Sequence, residues 1–258
     1  MRPSSSMKLI GMLPEEIENA FRGIQLQKFR AEQVLQWIYQ KNVLSFDQMT
    51  NISASDREKL KEEFEIGLPE IAEKHASRED GSVKLLLRMS DGQYAETVLI
   101  KRGARRTVCV SSQVGCKFKC VFCASGQAGF GRNLTADEIV AQVLRATEMN
   151  NGERISHIVF MGMGEPMDNL PAVLKTIKIL NHTKCFGIGA RRITVSTSGI
   201  VSKFETLEKE GLQVELSVSL HGADDKVRGK LMPVNRKWPV QELIKACHEY
   251  TIRTNRQI

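Results

Sequence analysis

The chain has 258 residues, 41% hydrophobic and 26% charged, with a formal net charge of +7. That is an ordinary globular composition, sufficient for one large domain or a large and a small one, and no apolar run reaches membrane-span length. The positive balance favours a polyanionic partner, and six cysteines without a signal-peptide core in Met1–Met7 read as metal-binding or catalytic thiols of a reducing cytoplasm.

Residues 13–64 read as helical. Pro14-Glu15-Glu16 opens a helix with acid in its first turn, where the helix dipole favours it. Phe29 to Tyr39 carries Phe29, Val34, Leu35, Trp37 and Ile38 at mixed helical spacing and is expected to bury that face. Ser53 is a suitable N-cap for a charged helix over 54–64. Residues 1–75 are therefore expected to form a small helical accessory domain. Its plain reading is packing; its functional reading is docking of a substrate.

The pattern then changes. Val83–Met89 and Tyr94–Ile100 flank Asp91-Gly92, a hairpin signal. Thr107–Ser111 is a third strand leading straight into a cysteine loop. Thr135-Ala-Asp-Glu138 is a capping box for a helix to about Met149. Strands follow at Ile155–Met161, Arg192–Ser196 and Val214–Ser219, with helices near 171–181, 201–210 and 239–251. Repeated βα units predict a parallel sheet or barrel over 76–258, an α/β fold with a β-hairpin extension at its start.

Cys116, Cys120 and Cys123 stand as C-x3-C-x2-C. Iron–sulfur clusters are normally held by four thiolates. Three on one loop leave an iron open to a substrate or cofactor, and S-adenosylmethionine (SAM) can bind there through its amino and carboxylate groups. A structural zinc would want a fourth Cys or His nearby, and the next, His157, is far along the chain. In a parallel βα array, ligands bind at the carboxyl ends of the strands. Three loops fall there. Gly162-Met-Gly164-Glu165-Pro166 could meet the ammonium of a methionine moiety, Ser196–Gly199 offers hydroxyls, and Ser219-Leu220-His221-Gly222 ends the next strand. Lysine and arginine cluster at 101–106, at Arg191 and Arg192, and at Arg228, Lys230, Arg236 and Lys237. Singly these are solvated faces; together they point to nucleic acid. His75, His157, His182 and His248 read as ordinary surface or core residues.

The run Cys109 to Leu134, with Gly162–Pro166, Thr194–Gly199, Ser217–His221 and Leu231–Asn235, resembles the radical SAM methyltransferases that act on adenine in RNA. More narrowly it resembles the dual-specificity enzymes that methylate C2 of an adenine in 23S rRNA and in the tRNA anticodon loop. The resemblance implies a (βα) radical-SAM barrel. It implies that Cys116, Cys120 and Cys123 ligate a [4Fe–4S] cluster, and that Gly164, Glu165, Ser196, Ser219, Leu220 and His221 bind SAM. Glu96 matches the position taken as proton acceptor, and Cys109 matches a cysteine that pairs with a second, methyl-carrying cysteine to release product. An electron donor such as flavodoxin or ferredoxin, a monomer and a cytoplasmic location follow from the same resemblance.

The implied chemistry suits the target. C2 of adenine is electron-poor and does not attack a sulfonium methyl, so the family route methylates a cysteine first and delivers that carbon as a radical. The chain stops at Ile258, where the resembled proteins continue into further strands and the methyl-carrying cysteine. Cys185 and Cys247 match no such position and read as small buried residues. The expectation is an incomplete barrel that loads its cofactors without completing methyl transfer, with exposed apolar edges that promote aggregation. Two other readings share these features: methylation at C8 of the same adenine, and a non-catalytic RNA-binding module that uses its metal structurally.

Overall fold

The computed structural model describes residues 6–258; positions 1–5, within the stretch read for a signal peptide, lie outside the described residues. Strand β1 (Met7–Lys8) pairs in parallel with β2 (Phe64–Glu65) and brackets three helices, α1 (Pro14–Gly23), α2 (Lys28–Leu35) and α3 (Ala54–Glu63). Proline at the first position of α1 gives up an amide that no helix uses, and Glu16 Oε2 accepts the Leu13 amide at 2.7 Å. Ile17 and Phe21 lie one turn apart and are buried, with Phe21 packing on Phe64 at 5.3 Å between ring centroids. Ser53 caps α3 as expected, its Oγ accepting the Asp56 amide at 3.2 Å.

Phe29 departs from the sequence reading. It is 52% exposed, with the Arg30 guanidinium 4.8 Å from its ring centroid. The buried stripe is Ala31, Val34, Leu35 and Ile38, which is helical spacing, and Phe29 lies out of phase with it. The helix also widens into a π-turn over Gln36–Gln40.

Four strands, β3 (Glu70–Ala76), β4 (Val83–Arg88), β5 (Tyr94–Arg102) and β6 (Arg105–Cys109), form an antiparallel meander. The Asp91-Gly92 turn closes the β4–β5 hairpin, Gly92 at φ +82° and Asp91 Oδ1 accepting the Gln93 amide at 3.1 Å. β3 was not legible as a strand, because Glu70, Glu73, Lys74 and His75 make it a charged edge with no apolar alternation. It runs to Ala76 and pairs with β4, so the sheet begins before the division placed at residue 76.

After β6 the chain makes a short antiparallel ladder, β7 (Gln113–Gly115) with β8 (Phe130–Asn133), enclosing α4 (Ala124–Gln127). Then the βα alternation sets in. α5 (Ala136–Met149) starts at the expected capping box, with the Thr135 amide donating to Glu138 Oε2 at 3.0 Å. It leads to β9 (His157–Phe160), α6 (Leu170–Asn181), β10 (Ile193–Thr197), α7 (Phe204–Lys209), β11 (Glu215–Val218), α8 (Asp225–Leu231) and α9 (Val240–Thr254). β6, β9, β10 and β11 are parallel, and the whole sheet runs β11-β10-β9-β6-β5-β4-β3. No helix among the described residues is long and apolar enough to cross a membrane.

Register gives this sheet two unlike faces, because side chains alternate along each strand. Ala95, Thr97 and Leu99 of β5, Val108 of β6, Ile158 and Phe160 of β9, Ile193 and Val195 of β10 and Leu216 of β11 are buried, most of them in the core shared with the helices. The opposite face carries Glu96, Val98, Cys109, Val159, Thr194, Ser196 and Ser217, all half-buried. Cys109 sits opposite Val98 on one side and Val159 on the other; Ser196 sits opposite Ser217.

Candidate active site

The cysteine loop begins at the end of β7. Gly115 has φ +69°, and a Cβ there would lie 1.8 Å from the Gly129 carbonyl oxygen, so only glycine lets the ladder close. The Cys116 amide donates to Gly129 O at 2.8 Å. Lys119 takes a left-handed conformation, φ +52°, which reverses the chain before Cys120. The Cys123 amide donates to Cys120 O at 3.0 Å and the Gly126 amide to Cys123 O at 3.1 Å, which starts α4. The Val121 amide donates to Leu231 O at 3.0 Å, tying the loop to the end of α8.

All three cysteines are half-buried, and all six in the chain are free thiols. Burial, then the Glu165 carboxylate and the two neighbouring thiols, pushes Cys116 up to about 11. Burial, then Cys123 and Glu165, also raises Cys120, while the Arg228 guanidinium pulls it back. Thiols that hold their protons alone release them to a metal that supplies compensating positive charge. Among the described residues no three His, Cys, Asp or Glu side chains stand close enough to share one metal ion. A cubic cluster seats each cysteine on a different iron, so its thiols stand further apart than the ligands of one ion. Three thiols with no fourth Cys or His on the loop match the donor set of a cluster held by three thiolates with one iron open.

The loop after β9 lies against residues 110–113. Gly164 has φ +101°, and a Cβ there would come within 2.6 Å of the Gln113 side chain. Glu165 is 4% exposed. Its carboxylate accepts the Met167 amide at 3.1 Å and the Ser198 amide at 2.7 Å, and burial raises its carboxyl above the ordinary range. Its own amide donates to Gln113 Oε1 at 2.9 Å. The sequence reading offered Glu165 to a ligand ammonium; the structure shows it first as the clasp between two strand ends.

Ser196 projects from β10 onto the half-buried face. The Ser219 amide donates to Thr197 O at 2.9 Å, carrying β11 on to Leu220, which packs against the core. His221 is exposed in a left-handed conformation, φ +52°, and its ring lies 4.5 Å from that of Phe122, between Cys120 and Cys123. The fold therefore brings His221 to the cysteine loop across about a hundred residues of sequence.

Glu96 and Cys109 share the same face. Cys109 is opposite Val98, two residues from Glu96, so the two are diagonal neighbours on adjacent strands. Glu96 Oε1 accepts Lys84 Nζ at 3.1 Å. Burial raises the Cys109 thiol. Cys185 is buried as expected, whereas Cys247 is half-buried and packs against the edge of the core.

Several buried polar groups that support this site were not singled out from sequence. Ser111, 0% exposed, donates its hydroxyl to Glu96 O at 2.5 Å and accepts the Met163 amide at 2.9 Å. Gln142 of α5 holds Ser111 through both its amide, at 2.8 Å, and its carbonyl, at 3.0 Å. Gln113 Nε2 donates to Asn133 and Asp168, each at 2.8 Å. Arg228, grouped by sequence with solvated basic residues, is 0% exposed. No periodicity marks such residues; only their burial does.

Residues 110–257 match the radical SAM superfamily, and residues 7–66 match the ribosomal RNA large subunit methyltransferase N-terminal domain. A probable dual-specificity RNA methyltransferase RlmN 2 of Protochlamydia amoebophila is 47% identical over 234 residues, 90% of this chain and 65% of that protein. A probable dual-specificity RNA methyltransferase RlmN of Thermosipho melanesiensis is 45% identical over 244 residues, 95% of this chain and 72% of that protein. The chain belongs to the RlmN family of radical SAM enzymes. A crystal structure of a radical SAM methyltransferase from Sphaerobacter thermophilus superposes with a TM-score of 0.92 at 40% identity, over 97% of this chain and 74% of that one. The RlmN assignment makes the α/β sheet a partial radical-SAM barrel, and its half-buried face the inner one. It makes the chain by family an RNA-methylating enzyme that uses a [4Fe–4S] cluster and SAM. The chain spans 65–72% of the length of these two RlmN relatives.

Proposed function

We propose that this protein methylates C2 of an adenine in 23S rRNA and in the anticodon loop of tRNA. The observation that carries the reading is the inner face itself, where Glu96 and Cys109 stand as diagonal neighbours on the barrel wall that leads to the cysteine loop. Cys116, Cys120 and Cys123 hold the cluster. The loop at Gly164 and Glu165, the Ser196 hydroxyl and the segment Ser219, Leu220 and His221 hold SAM. When bound, these groups supply the one-electron chemistry that an electron-poor carbon requires.

The chain's own residues supply the rest. The half-exposed Glu96 carboxylate, steadied by Lys84, is placed to take the proton from C2. The Cys109 thiol faces the same space and is placed to pair with the methyl-bearing cysteine of the resembled enzymes, freeing the product as the carbon–sulfur bond breaks; neither Cys185 nor Cys247 supplies that partner. Val98 and Val159 line the wall on either side of Cys109. The N-terminal helices α1 to α3 dock the RNA, helped by the excess of basic side chains. A flavodoxin or ferredoxin supplies the electron to a cytoplasmic monomer.

The test is nucleoside mass analysis of 23S rRNA and tRNA from cells with the native gene deleted and then restored. The reading requires 2-methyladenosine to disappear from both RNAs and return. Loss of 8-methyladenosine instead, or no change in either nucleoside, overturns it.

A further inference from the structure

Arg228 is a buried cation with no anion in contact with it. Among the described residues no carboxylate pairs with its guanidinium: Nη2 donates to Ser198 O at 2.6 Å, Nη1 to Asn235 Oδ1 at 2.7 Å and, more weakly, to Trp238 O at 3.4 Å, and Nε donates to nothing. Burying a charge with only neutral dipoles around it is costly, so an uncompensated cation in a core implies an anion that belongs there. Asp225, in the same helix, attracts the guanidinium from a distance but does not contact it. It is exposed and its carboxylate is engaged by Asn235 Nδ2 at 2.9 Å and the Val240 amide at 2.8 Å.

The geometry around Arg228 leads to the cysteine loop. Three residues on, Leu231 O accepts the amide of Val121, between Cys120 and Cys123. A Cβ on Gly222, next to His221, would lie 2.7 Å from the Arg228 amide nitrogen, and one on Gly199 would lie 3.2 Å from Nη2. Arg228 thus sits where the ends of β10 and β11 and the cysteine loop meet. Three thiolates outweigh the positive charge of the oxidised cluster core, which leaves the assembly net negative, and reduction adds one more negative charge.

We propose that Arg228 is the buried counter-charge of the cluster and raises its reduction potential. The proposal rests on the cluster assignment above. A fixed cation stabilises the reduced, more negative form more than the oxidised one, and nearby charge is one of the terms that set cluster potentials. Arg228 touches no reacting atom, so its role is electrostatic positioning.

The experiment is a redox titration of the anaerobically reconstituted chain, without SAM or RNA, using dithionite and mediators, with the reduced cluster counted by electron paramagnetic resonance. Arg228→Gln is expected to load iron and sulfide fully and to titrate at a lower potential. A tenfold fall in the ratio of reduced to oxidised cluster at fixed potential corresponds to about 59 mV for this one-electron couple. Arg228→Lys, which keeps the charge, stays near the unmodified protein, and so does Lys209→Gln on the exposed surface of α7. Full loading with an unchanged potential in Arg228→Gln overturns the proposal. If Arg228→Gln does not fold, Arg228→Met replaces it, filling the volume with neither charge nor polar group; a lower potential supports the proposal and an unchanged one overturns it. An unmodified chain that takes up no iron overturns the cluster assignment itself, a separate and recognisable outcome.

Discussion

The carboxylate of Glu165 accepts the backbone amide of Ser198 at 2.7 Å, which joins the loop after β9 to the end of β10. Its other oxygen holds Met167 at 3.1 Å. A carboxylate accepts on both oxygens, whereas a carboxamide accepts on one. Glu165→Gln therefore keeps the volume and sets an NH2 group against one of the two amides. One buried donor left unpaired costs about 1–3 kcal/mol. Urea unfolding should show that loss with an unchanged slope, and SAM should bind the variant more weakly, because the two strand ends it bridges carry Gly164 and Ser196.

Each of Cys116→Ala, Cys120→Ala and Cys123→Ala should abolish the brown, air-sensitive chromophore and the bound iron. The folded chain should survive each change, since all three side chains are half-buried on a loop and, of the three, Cys120 alone packs against the edge of the core. Far-ultraviolet circular dichroism and metal analysis of the reconstituted variants check both halves. Stoichiometric zinc in a colourless unmodified protein is the result that would sink the assignment.

How much of this was legible in the sequence depends on what each residue signals. The three cysteines carry their chemistry in their spacing, and the hairpin at Asp91-Gly92 and the capping box at Thr135 and Glu138 are local devices that read directly. The three glycine- and serine-bearing strand ends followed from the βα alternation. β3 was missed because an edge strand protected by charge has no apolar period. Phe29 was misplaced because an aromatic near a helical stripe need not be in phase with it. Arg228 was misread because a basic residue between Lys226 and Lys230 looks like surface, and only the packing of α8 under Gly222 reveals otherwise. The meeting of Glu96 with Cys109, and of Phe122 with His221, depends on register and loop closure that no single segment encodes.

Ser111 offers a test of that long-range assembly. Ser111→Ala removes the hydroxyl between Glu96 O and the Met163 amide, and Gln142→Leu removes the side chain that pairs the Ser111 amide and carbonyl. Each buried group left unpaired costs about 1–3 kcal/mol. The four groups belong to one network, so the double variant should lose less than the sum of the two single losses. A double-mutant cycle from urea melts measures the difference, and strict additivity would show that Ser111 and Gln142 act independently.

Asp91 gives the fold a predictable acid response. The Arg132 guanidinium, donating to Asp91 Oδ2 at 2.6 Å while it also grips both oxygens of Glu138 at 2.7 Å, connects the hairpin turn to β8 and α5. The Arg132 hydrogen bond first, and the Gln93 amide second, lower Asp91 from its ordinary 3.8 to about 2. A carboxyl depressed in the folded state contributes stability that is complete above its unfolded value and disappears as pH falls through its folded value. The contribution of Asp91 should therefore be constant from neutrality down to about pH 5 and decline between about pH 4 and pH 2. Asp91→Asn cannot titrate and should melt below the unmodified protein at neutral pH. That gap should narrow through the acid window as Asp91 protonates. Thermal melts of both proteins across the range check this, and a gap that stays constant down to pH 2 would show that Asp91 stabilises the turn through shape and not through charge.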